Sequence, residues 1–327
     1  MKKIICLLLC AVMLMSAAAC AAPQQEQTTA PHETQTAEVT IPQDVEITFT
    51  DDLDRTVTMN RPQRVAVMIG SFADVWCLAG GKDTIVAAAG DTWTQFDLGL
   101  SEEVANLGAV REPNVEALLA SNPDFVIGST KTSADVALVE ELEEMGIPCA
   151  MFNVSTFDDY LRMLKICTDL TGKPENYETY GTALEAQVEA AKAMATGEAP
   201  TVLYVRASGS SCKVKNSQNT VLGEMLADLG CINIADSETG LLEELSMETI
   251  IKSDPDFIFA VLQGSDIAKP QASLETALLS NPAWEGLTAV REGRFHILDQ
   301  KLYNLKPNAK WGDAYEQLAQ IIYSTEE

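Results

Sequence analysis

Histidine and basic residues are scarce in this sequence of 327 residues. It contains two histidines, His32 and His296, and 22 Lys and Arg face 48 Asp and Glu, so the formal net charge is −26. An acidic excess of this size repels polyanions, which excludes nucleic acid and anionic membrane surfaces as partners. Bare divalent metal ions favour sites with several imidazoles alongside carboxylates, so the sequence predicts no metal site of its own.

Motifs of the common enzyme classes are also missing. The eight cysteines form no CxxC pair and no zinc-finger spacing, and there is no HExxH, GxSxG or glycine-rich dinucleotide fingerprint. The segment from Ala79 to Asp83 contains Gly-Gly-Lys but lacks the upstream glycine and the Ser or Thr of a phosphate-binding loop. The sequence therefore favours a protein that is not an enzyme and that needs no cofactor.

The N-terminus is predicted to be an export signal. Lys2 and Lys3 precede an apolar run from Ile4 to Ala19 in which Ser16 is the one polar residue. The run is shorter than the roughly 18 residues expected of a spanning helix, so residues 1–19 are predicted to be a signal peptide.

The segment after this signal is predicted to hold the protein at a membrane. Residues 17–20 are Ala-Ala-Ala-Cys, which resembles a bacterial lipobox, so we predict acylation of Cys20. Lipoboxes usually have Leu where Ala17 stands, and simple cleavage with secretion is the alternative. Residues 20–44, rich in Ala, Pro, Gln, Glu and Thr, are predicted to be a disordered tether. We expect an extracytoplasmic lipoprotein on the outer face of the cell membrane or in the periplasm.

Short apolar runs alternate with helical patterns from residue 45 onward. This order is typical of an α/β fold, because parallel strands need crossover connections. We predict two lobes, each a parallel sheet flanked by helices, at residues 45–173 and 198–327. Predicted strands cover residues 65–69, 84–88, 124–127, 148–152, 202–205, 257–261 and 295–298, and one predicted helix covers residues 134–145.

A long amphipathic helix is predicted between the two lobes. Apolar residues recur at steps of three and four from Tyr177 to Ala195, Pro174 precedes them, and Gly197 and Pro200 follow them. We therefore predict one bridging helix over residues 174–197, which would restrict the relative motion of the lobes.

An internal repeat supports the prediction of two lobes. Residues 114–128 align without gaps to residues 246–260, an offset of 132, with five identical positions. In each copy a helix begins near a glutamate, ends before Pro-Asp, and leads into a buried strand. Glu116 and Glu248 thus occupy equivalent places, and the simplest interpretation is that each complements the N-terminus of its helix.

Several of these motifs together resemble a known family. They are Asp54-Arg55-Thr56-Val57, the segments 61–67 and 78–81, Leu107-Gly108 before Asn114-Val115-Glu116, Ser121-Asn122-Pro123-Asp124, and Met145-Gly146-Ile147-Pro148. In order and spacing they are similar to the class III substrate-binding proteins of ABC importers, which carry ferric siderophores, haem or vitamin B12. The resemblance covers nearly all of residues 46–323.

The resemblance implies a ligand, partners and a role for the repeated acids. An iron complex or a corrinoid would be held in the cleft between the lobes and delivered to an ABC permease with its ATPase subunits. Glu116 and Glu248 would each dock onto an arginine pocket of that permease. We expect a monomer whose contact with the membrane is the lipid anchor.

Ligand-binding residues are predicted in the loops that follow the strands, since ligands of open α/β sheets sit beyond the carboxyl ends of the strands. Aromatic rings there are suited to form apolar walls, and the cations are suited to pair with carboxylates or phosphate. The alternative is that the rings cover lobe edges and the cations are solvated. The predicted contacts are Ser71, Phe72, Trp93, Phe96, Arg206, Gln263, Tyr303 and Lys306.

The identity of the ligand stays open at this point. Haem would need an axial ligand, for which Tyr303 is the best placed candidate, whereas a siderophore or a corrinoid needs no metal ligand from the protein. Two other functions also remain: a metal-chelate enzyme on a similar two-lobed fold, and a tethered surface interaction module.

Overall fold

The computed structural model describes residues 45–264 and 266–324. The predicted signal peptide, Cys20 and the tether 20–44 lie outside these residues. No helix in the described part is long and apolar enough to cross a bilayer. The chain enters the fold through an antiparallel hairpin of β1 (Ile47–Thr50) and β2 (Thr56–Met59).

The first half of the chain builds a five-stranded sheet. Its order is β5-β4-β3-β8-β9, and every neighbouring pair is parallel. The central strands are short apolar runs buried on both faces, as helices on both sides require. The strands are β3 (Val65–Val67), β4 (Ile85–Ala88), β5 (Ala105–Asn106), β8 (Phe125–Ser129) and β9 (Cys149–Phe152), and a small hairpin pairs β6 (Gly108–Ala109) with β7 (Glu112–Pro113).

The second half builds another five-stranded sheet. Its order is β11-β10-β13-β14, with β12 also pairing with β10. The strands are β10 (Thr201–Ala207), β11 (Cys212–Lys215), β12 (Ile232–Asn233), β13 (Phe257–Leu262) and β14 (Phe295–Leu298). All pairs are parallel except β10 with β11, which run antiparallel because a tight turn at residues 208–211 reverses the chain. The predicted pair of parallel sheets flanked by helices is confirmed, with this antiparallel edge strand added.

Helices cover the faces of both sheets. In the first half they are α1 (Gly70–Leu78), α2 (Asp91–Thr94), α3 (Val115–Ala120), α4 (Ser133–Ala137), α5 (Val139–Glu144) and α6 (Phe157–Thr171). In the second half they are α9 (Val221–Asp228), α10 (Ile234–Ser237), α11 (Gly240–Glu243), α12 (Met247–Ser253), α13 (Ala268–Leu274), α14 (Thr288–Arg291), α15 (Gln300–Tyr303) and α16 (Trp311–Tyr323). Shorter 3₁₀ turns lie at Lys82–Thr84, Trp284–Gly286 and Asn308–Lys310, and a π-helical turn at Glu275–Leu279 extends α13.

The helix predicted between the two sheets is present as α7 (Pro174–Tyr177) and α8 (Ala183–Lys192), joined by a π-helical turn at Glu178–Thr182. Gly181 in that turn is buried, and a Cβ atom there would lie 3.2 Å from Cδ2 of Leu161 in α6. Glycine therefore permits the close approach of this segment to α6. Helical structure ends at Lys192, five residues before the predicted end.

The helix predicted over residues 134–145 differs from the structure. The chain forms α4 and α5 with Leu138 between them, where a bond from the Leu138 N–H to the Asp135 carbonyl tightens the turn. Leu142 is buried as expected, but Met145 is 52% exposed. Helix α5 ends at Glu144, so Met145 lies beyond it and is not part of a buried apolar face.

One hydrophobic cluster includes residues of both halves. It contains strand residues of both sheets together with α6, α8 and α16. Trp311 of α16 packs against Phe157 and Tyr160 of α6, with ring centroids 5.9 and 6.3 Å apart. Because close-packed interiors deform little, this shared core, rather than the bridging helix alone, opposes large movements of one half against the other.

Candidate functional site

A cavity of about 460 Å³ lies where residues of the two halves meet. On one side its walls come from helix α1 and from the loop that follows α2. On the other side they come from the segments around α15 and α16. Phe96 and Lys306, which the sequence predicts to contact ligand from opposite lobes, both line it. The other lining residues are Asp74, Gln95, Asp97, Leu98, Asp299, Lys301, Leu302, Pro307, Ala309, Lys310, Asp313 and Gln317.

A smaller cavity of about 240 Å³ adjoins the first along the same loop. Trp93 and Phe96 line it, and Trp93 is 41% exposed. Helix α2, which carries Trp93, and the loop after it, which carries Phe96, thus present two of the predicted aromatic contacts to open space. Gln263 is exposed at the end of β13, where its N–H donates to the Ala207 carbonyl at 2.8 Å.

Lys306 lies half-buried between cations of both halves. Burial lowers the pKa of Lys306 to about 8; Asp159 opposes this effect, and the charges of Lys131 and Arg206 add to it. Arg206 donates from Nη1 to Oδ1 of Asn304 at 3.2 Å, and Lys131 donates from Nζ to Oδ1 of Asn219 at 2.9 Å. The hydrogen bond from Lys131 to Asn219 joins the two halves of the chain, because Lys131 follows β8 and Asn219 follows β11.

Two further lysines stand beside Arg206. Lys213 is directly opposite Arg206 in the β10–β11 pair, and Lys215 is opposite Tyr204. Burial lowers the pKa of Lys215, and the neighbouring charges of Arg206 and Lys213 lower it further. Lys131 lies in the loop 129–132 after β8, one of the loops in which the sequence predicts ligand contacts, whereas Lys213 and Lys215 were not predicted. The alternation Cys-Lys-Val-Lys after a Ser-Gly-Ser-Ser turn is a hairpin signal that would have placed both lysines of β11 on one face.

Three predicted ligand contacts are buried in the structure. Phe72 is 1% exposed, and its ring packs perpendicular to that of Phe152 at 6.3 Å. Tyr303 is 2% exposed and donates its hydroxyl to the Ala314 carbonyl at 3.0 Å, and burial raises the pKa of that hydroxyl. Ser71 is 3% exposed. In this conformation the packed rings of Phe72 and Tyr303 leave no surface for a ligand.

Asn308 connects the two halves beneath the cavity. Its Nδ2 donates to the Ser71 carbonyl and to Oδ2 of Asp74, both at 2.8 Å, and its side chain is fully buried. Its φ of 53° lies in the left-handed region, which Asn tolerates better than most residues. Burial raises the pKa of Asp74, while Asn308 and Lys310 oppose that shift. This contact holds the segment that carries Lys306 against α1.

Glu116 and Glu248 occupy matching positions in the two halves. Each is the second residue of its helix, α3 or α12, and each is exposed. The caps also match: Asn114 accepts from the Ala117 N–H at 2.9 Å, and Ser246 accepts from the Thr249 N–H at 3.3 Å. No ion pair between described residues involves either glutamate. Both carboxylates are therefore open to a partner.

Metal-ligating side chains are dispersed in the described residues, where no group of three or more His, Cys, Asp or Glu could hold an ion. His296 lies within β14, and its ring stacks on Phe259 with centroids 5.8 Å apart. The five described cysteines are free thiols.

A buried carboxylate lies behind the loop that carries Lys131. Asp135 is fully buried; Oδ2 accepts from the Ser129 N–H at 2.8 Å, and Oδ1 has no hydrogen-bond partner among the described residues. Burial raises the pKa of Asp135 to about 7. The hydrogen bond from the Ser129 N–H opposes this rise in pKa, and the negative charge of Asp91 adds to it. The folded state therefore binds a proton here that the unfolded state releases near pH 4, so stability decreases as pH rises from 4 to 7.

Replacing this acid should remove that pH dependence. Each unit of pKa difference corresponds to about 1.4 kcal/mol, so Asp135→Asn should be more stable than the unchanged protein by up to about 4 kcal/mol above pH 8, with little difference at pH 4. Urea unfolding at several pH values would measure this. Asp83→Asn, at an exposed position, should leave the pH dependence of the free energy of unfolding unchanged. If Asp135→Asn and Asp83→Asn show the same pH dependence, the assigned role of Asp135 is wrong.

Comparison with known proteins gives the following likenesses. The family described as "Periplasmic binding protein" matches residues 65–302. The iron-uptake system-binding protein of Bacillus subtilis is 23% identical over 223 residues, 67% of each chain. The vitamin B12-binding protein of Pectobacterium atrosepticum is 23% identical over 218 residues, 64% of this chain and 76% of the relative. The apo periplasmic heme-binding protein RhuT from Roseiflexus sp. RS-1 has a TM-score of 0.64 at 23% identity, covering 80% of this chain and 98% of the other, and this likeness shows the fold.

Proposed function

The chain belongs to the periplasmic binding protein family, and on that premise we propose that it captures an iron complex or a corrinoid and delivers it to an ABC permease. The family assignment confirms the resemblance found in the sequence. It favours binding over the two other functions considered, a metal-chelate enzyme and a surface interaction module. A ferric siderophore, haem or a corrinoid is the proposed ligand.

The cavity between the two halves is the observation that supports this proposal most directly. An aromatic wall at Phe96 comes from the first half and a cation at Lys306 from the second. Ligand sites are concave and combine apolar surface with a few placed polar groups, often where two domains meet. Phe96, Trp93, Lys306, Arg206 and Gln263 are the proposed ligand contacts. Ser71 contributes through its carbonyl to the contact that joins the halves.

The repeated glutamates are the proposed docking points for the permease. They begin equivalent helices in the two halves, so they form a matched pair of anionic contacts. Carboxylates pair with arginine through two directional hydrogen bonds, which gives orientation as well as affinity. A pair of such contacts suits a permease made of two similar halves, with its ATPase subunits driving ligand release. The proposed binding protein acts as a monomer.

The proposed location is outside the cytoplasmic membrane. Acylation of Cys20 and the tether 20–44 would keep the binding domain near the permease while leaving it free to reorient. This anchoring agrees with the apolar run and the lipobox-like residues at the N-terminus.

A ligand screen tests the proposal. The mature full chain would be mixed with haem, cyanocobalamin and ferric siderophores, and binding would be followed by absorbance and thermal unfolding. A ligand at 100 times its Kd stabilises the folded state by about 2.7 kcal/mol, so one class should raise the unfolding temperature by several degrees. The proposal fails if no ligand of the panel does so.

Site variants locate the binding. Phe96→Ala should raise the Kd about tenfold, since an aromatic contact of this size is worth roughly 1–2 kcal/mol. Ile297→Ala removes an apolar side chain of β14 that is 50% exposed and does not line the cavity, so it should leave the Kd unchanged. Equal affinities of the two variants would place the ligand elsewhere.

A further inference from the structure

Two carboxylates lie where the first sheet reverses its direction of growth. From β3 the chain adds β4 and β5 towards one edge, whereas β8 and β9 extend towards the other edge. The carboxyl ends of β3 and β8 therefore flank the switch point of this open α/β sheet, where a crevice forms outside the strands. Asp91 and Asp135 bond to the backbone at these two strand ends.

The contacts of both acids are with backbone N–H groups. Oδ1 of Asp91 accepts from the Gly70 N–H, which follows β3, at 2.8 Å. Oδ2 of Asp135 accepts from the N–H of Ser129, the last residue of β8, at 2.8 Å. A Cβ atom at Gly70 would lie 2.8 Å from the nitrogen of Thr92, so the start of α2 rests directly on the end of β3.

No cation in the described part of the chain forms an ion pair with Asp91 or Asp135. The groups that act on Asp135 are the Ser129 N–H and the charge of Asp91. Those that act on Asp91 are the N–H groups of Gly70, of Thr92 and of Asp91 itself. Burial raises the pKa of both carboxyls. A buried carboxyl group without a counter-charge favours its neutral form.

Two buried oxygen atoms in this region have no hydrogen-bond partner among the described residues. They are Oδ1 of Asp135 and Oγ1 of Thr92, whose side chains are 0% and 1% exposed. Because Oδ2 of Asp135 already accepts from Ser129, Oδ1 is the atom that carries the proton. In the ionised form Oδ1 would hold negative charge in the interior without a donor, which costs more than an unpaired neutral group.

The same two acids hold the segments that carry ligand contacts predicted in the first half. Asp91 is the first residue of α2, which presents Trp93. Asp135 fixes the base of the loop 129–132, which carries Lys131. Lys131 in turn donates to Asn219 of the second half at 2.9 Å. A change in the charge of the two acids therefore acts on both segments at once.

We infer from this geometry that Asp91 and Asp135 form a proton-binding site, and that the proton they share keeps α2 and the loop 129–132 closed on the first sheet. Buried carboxylates whose charges interact titrate as a pair. Loss of the proton leaves two negative charges in the crevice, where repulsion and hydration separate α2 from the loop. The consequence for ligand affinity rests on the proposed function. The tests below use the full chain without ligand, so the inference can fail while the proposed function stands.

Amide hydrogen exchange at Ser129 measures opening of the loop. The closed form keeps the proton up to about pH 7, whereas an open form with a hydrated Asp135 releases it near pH 4. The equilibrium for opening should therefore increase between about pH 4 and 7, by at most about tenfold per pH unit, and be constant above pH 7. Protection of the Ser129 amide, relative to an unstructured peptide, should fall by the same factor.

A neutral isostere at Asp135 should remove this pH dependence. Asp135→Asn keeps an oxygen acceptor for the Ser129 N–H, so its protection should be high and independent of pH. Asp83→Asn, at an exposed position, is the matched control and should retain the fall. A fall of the same size in Asp135→Asn overturns the inference. An equal fall at the amides of β13 would show global unfolding instead of loop opening, and overturns it too.

Removal of the second acid tests whether the proton is shared. Without the charge of Asp91, Asp135 loses its proton at lower pH, so in Asp91→Asn the fall in Ser129 protection should end below pH 7. Asn keeps an acceptor for the Gly70 N–H. If the pH range is the same in Asp91→Asn and in the unchanged protein, Asp135 acts alone and the shared site is wrong.

Trp93 gives an independent measurement at α2. It is 41% exposed, whereas Trp76, Trp284 and Trp311 are at most 5% exposed. Quenching of tryptophan fluorescence by acrylamide should increase from about pH 5 to pH 8 as α2 separates from the sheet, and Trp93→Phe should abolish the increase. Constant quenching over this range, or an increase that persists in Trp93→Phe, overturns the link between the proton and α2.

Discussion

Ligand uptake by cells should be lost when Glu116→Lys and Glu248→Lys are combined, while the purified protein keeps its ligand affinity. Both carboxylates are exposed, each at the second position of its helix. Reversal of both charges would place a lysine against each arginine pocket that we propose on the permease. Like charges brought together at an interface cost several kcal/mol of binding free energy. Measurement of iron uptake in cells, alongside the Kd of the purified variant, gives the result.

A matched charge change separates docking from the effect of net charge. Glu178→Lys with Glu185→Lys reverses two exposed acids of the bridging helix and should leave uptake near normal. Each of the two substitutions Glu116→Lys and Glu248→Lys removes a favourable interaction with a helix dipole. This costs about 0.3–1 kcal/mol of stability per substitution, which is too little to unfold the protein. If the docking pair supports normal uptake, or if its ligand affinity falls instead, the proposed role of the two glutamates is wrong.

The free energy of unfolding should fall by about 3–5 kcal/mol in Asp51→Ala. The Asp51 side chain is fully buried, and its carboxylate accepts four hydrogen bonds. Oδ1 accepts from the N–H groups of Leu53 and Arg55, both at 3.0 Å, and Oδ2 accepts from the Met151 N–H at 3.0 Å and from Nη2 of Arg55 at 2.5 Å. Truncation leaves buried donors unpaired and a guanidinium without its nearest counter-charge. Urea unfolding at pH 7 would measure the loss.

Asn substitutions give the sharper comparison within the same turn. Asp51→Asn keeps one acceptor oxygen, so it should cost less than Asp51→Ala but well over 1 kcal/mol. Asp54→Asn removes the same charge from an exposed residue at φ 59°, a conformation that Asn adopts readily, and should change stability by less than about 0.5 kcal/mol. Equal stability of the two Asn variants would contradict the structural role of Asp51.

The seven longer parallel strands of the two sheets were predicted because their signal is local, whereas the two-residue strands β5 and β12 were not predicted. Runs such as Phe257–Leu262 are apolar throughout, since both faces of a central parallel strand are buried. The offset of 132 between the repeats placed Glu116 and Glu248 at the same position of two matching helices, as the structure shows. The edge strand β11 was missed, because its lysines do not resemble a buried strand and its pairing depends on a turn rather than on apolar pattern.

The residues that follow the strands were harder to place, because their side-chain directions depend on contacts between distant segments; Phe72 and Tyr303, predicted in loops, lie in helices α1 and α15. Phe72 and Phe96 both follow strands of the first sheet, yet the first is packed in the core and the second lines the cavity. Tyr303 is buried because α15 packs on α16, which brings its hydroxyl to Ala314. Nothing in the sequence pattern near these residues distinguishes the exposed ring from the buried ones.

The sequence by itself determined the α/β class, the two matching halves and the acidic surface, because periodicity, repeats and charge are properties of neighbouring residues. Only the tertiary structure decided which residues of the two halves meet. Asn308 reaches the Ser71 carbonyl across 237 residues of chain, and the grouping of Lys131, Arg206 and Lys306 depends on packing both halves around one core. Contacts at such separation follow from how the helices and sheets pack, and that packing is not encoded in any short segment.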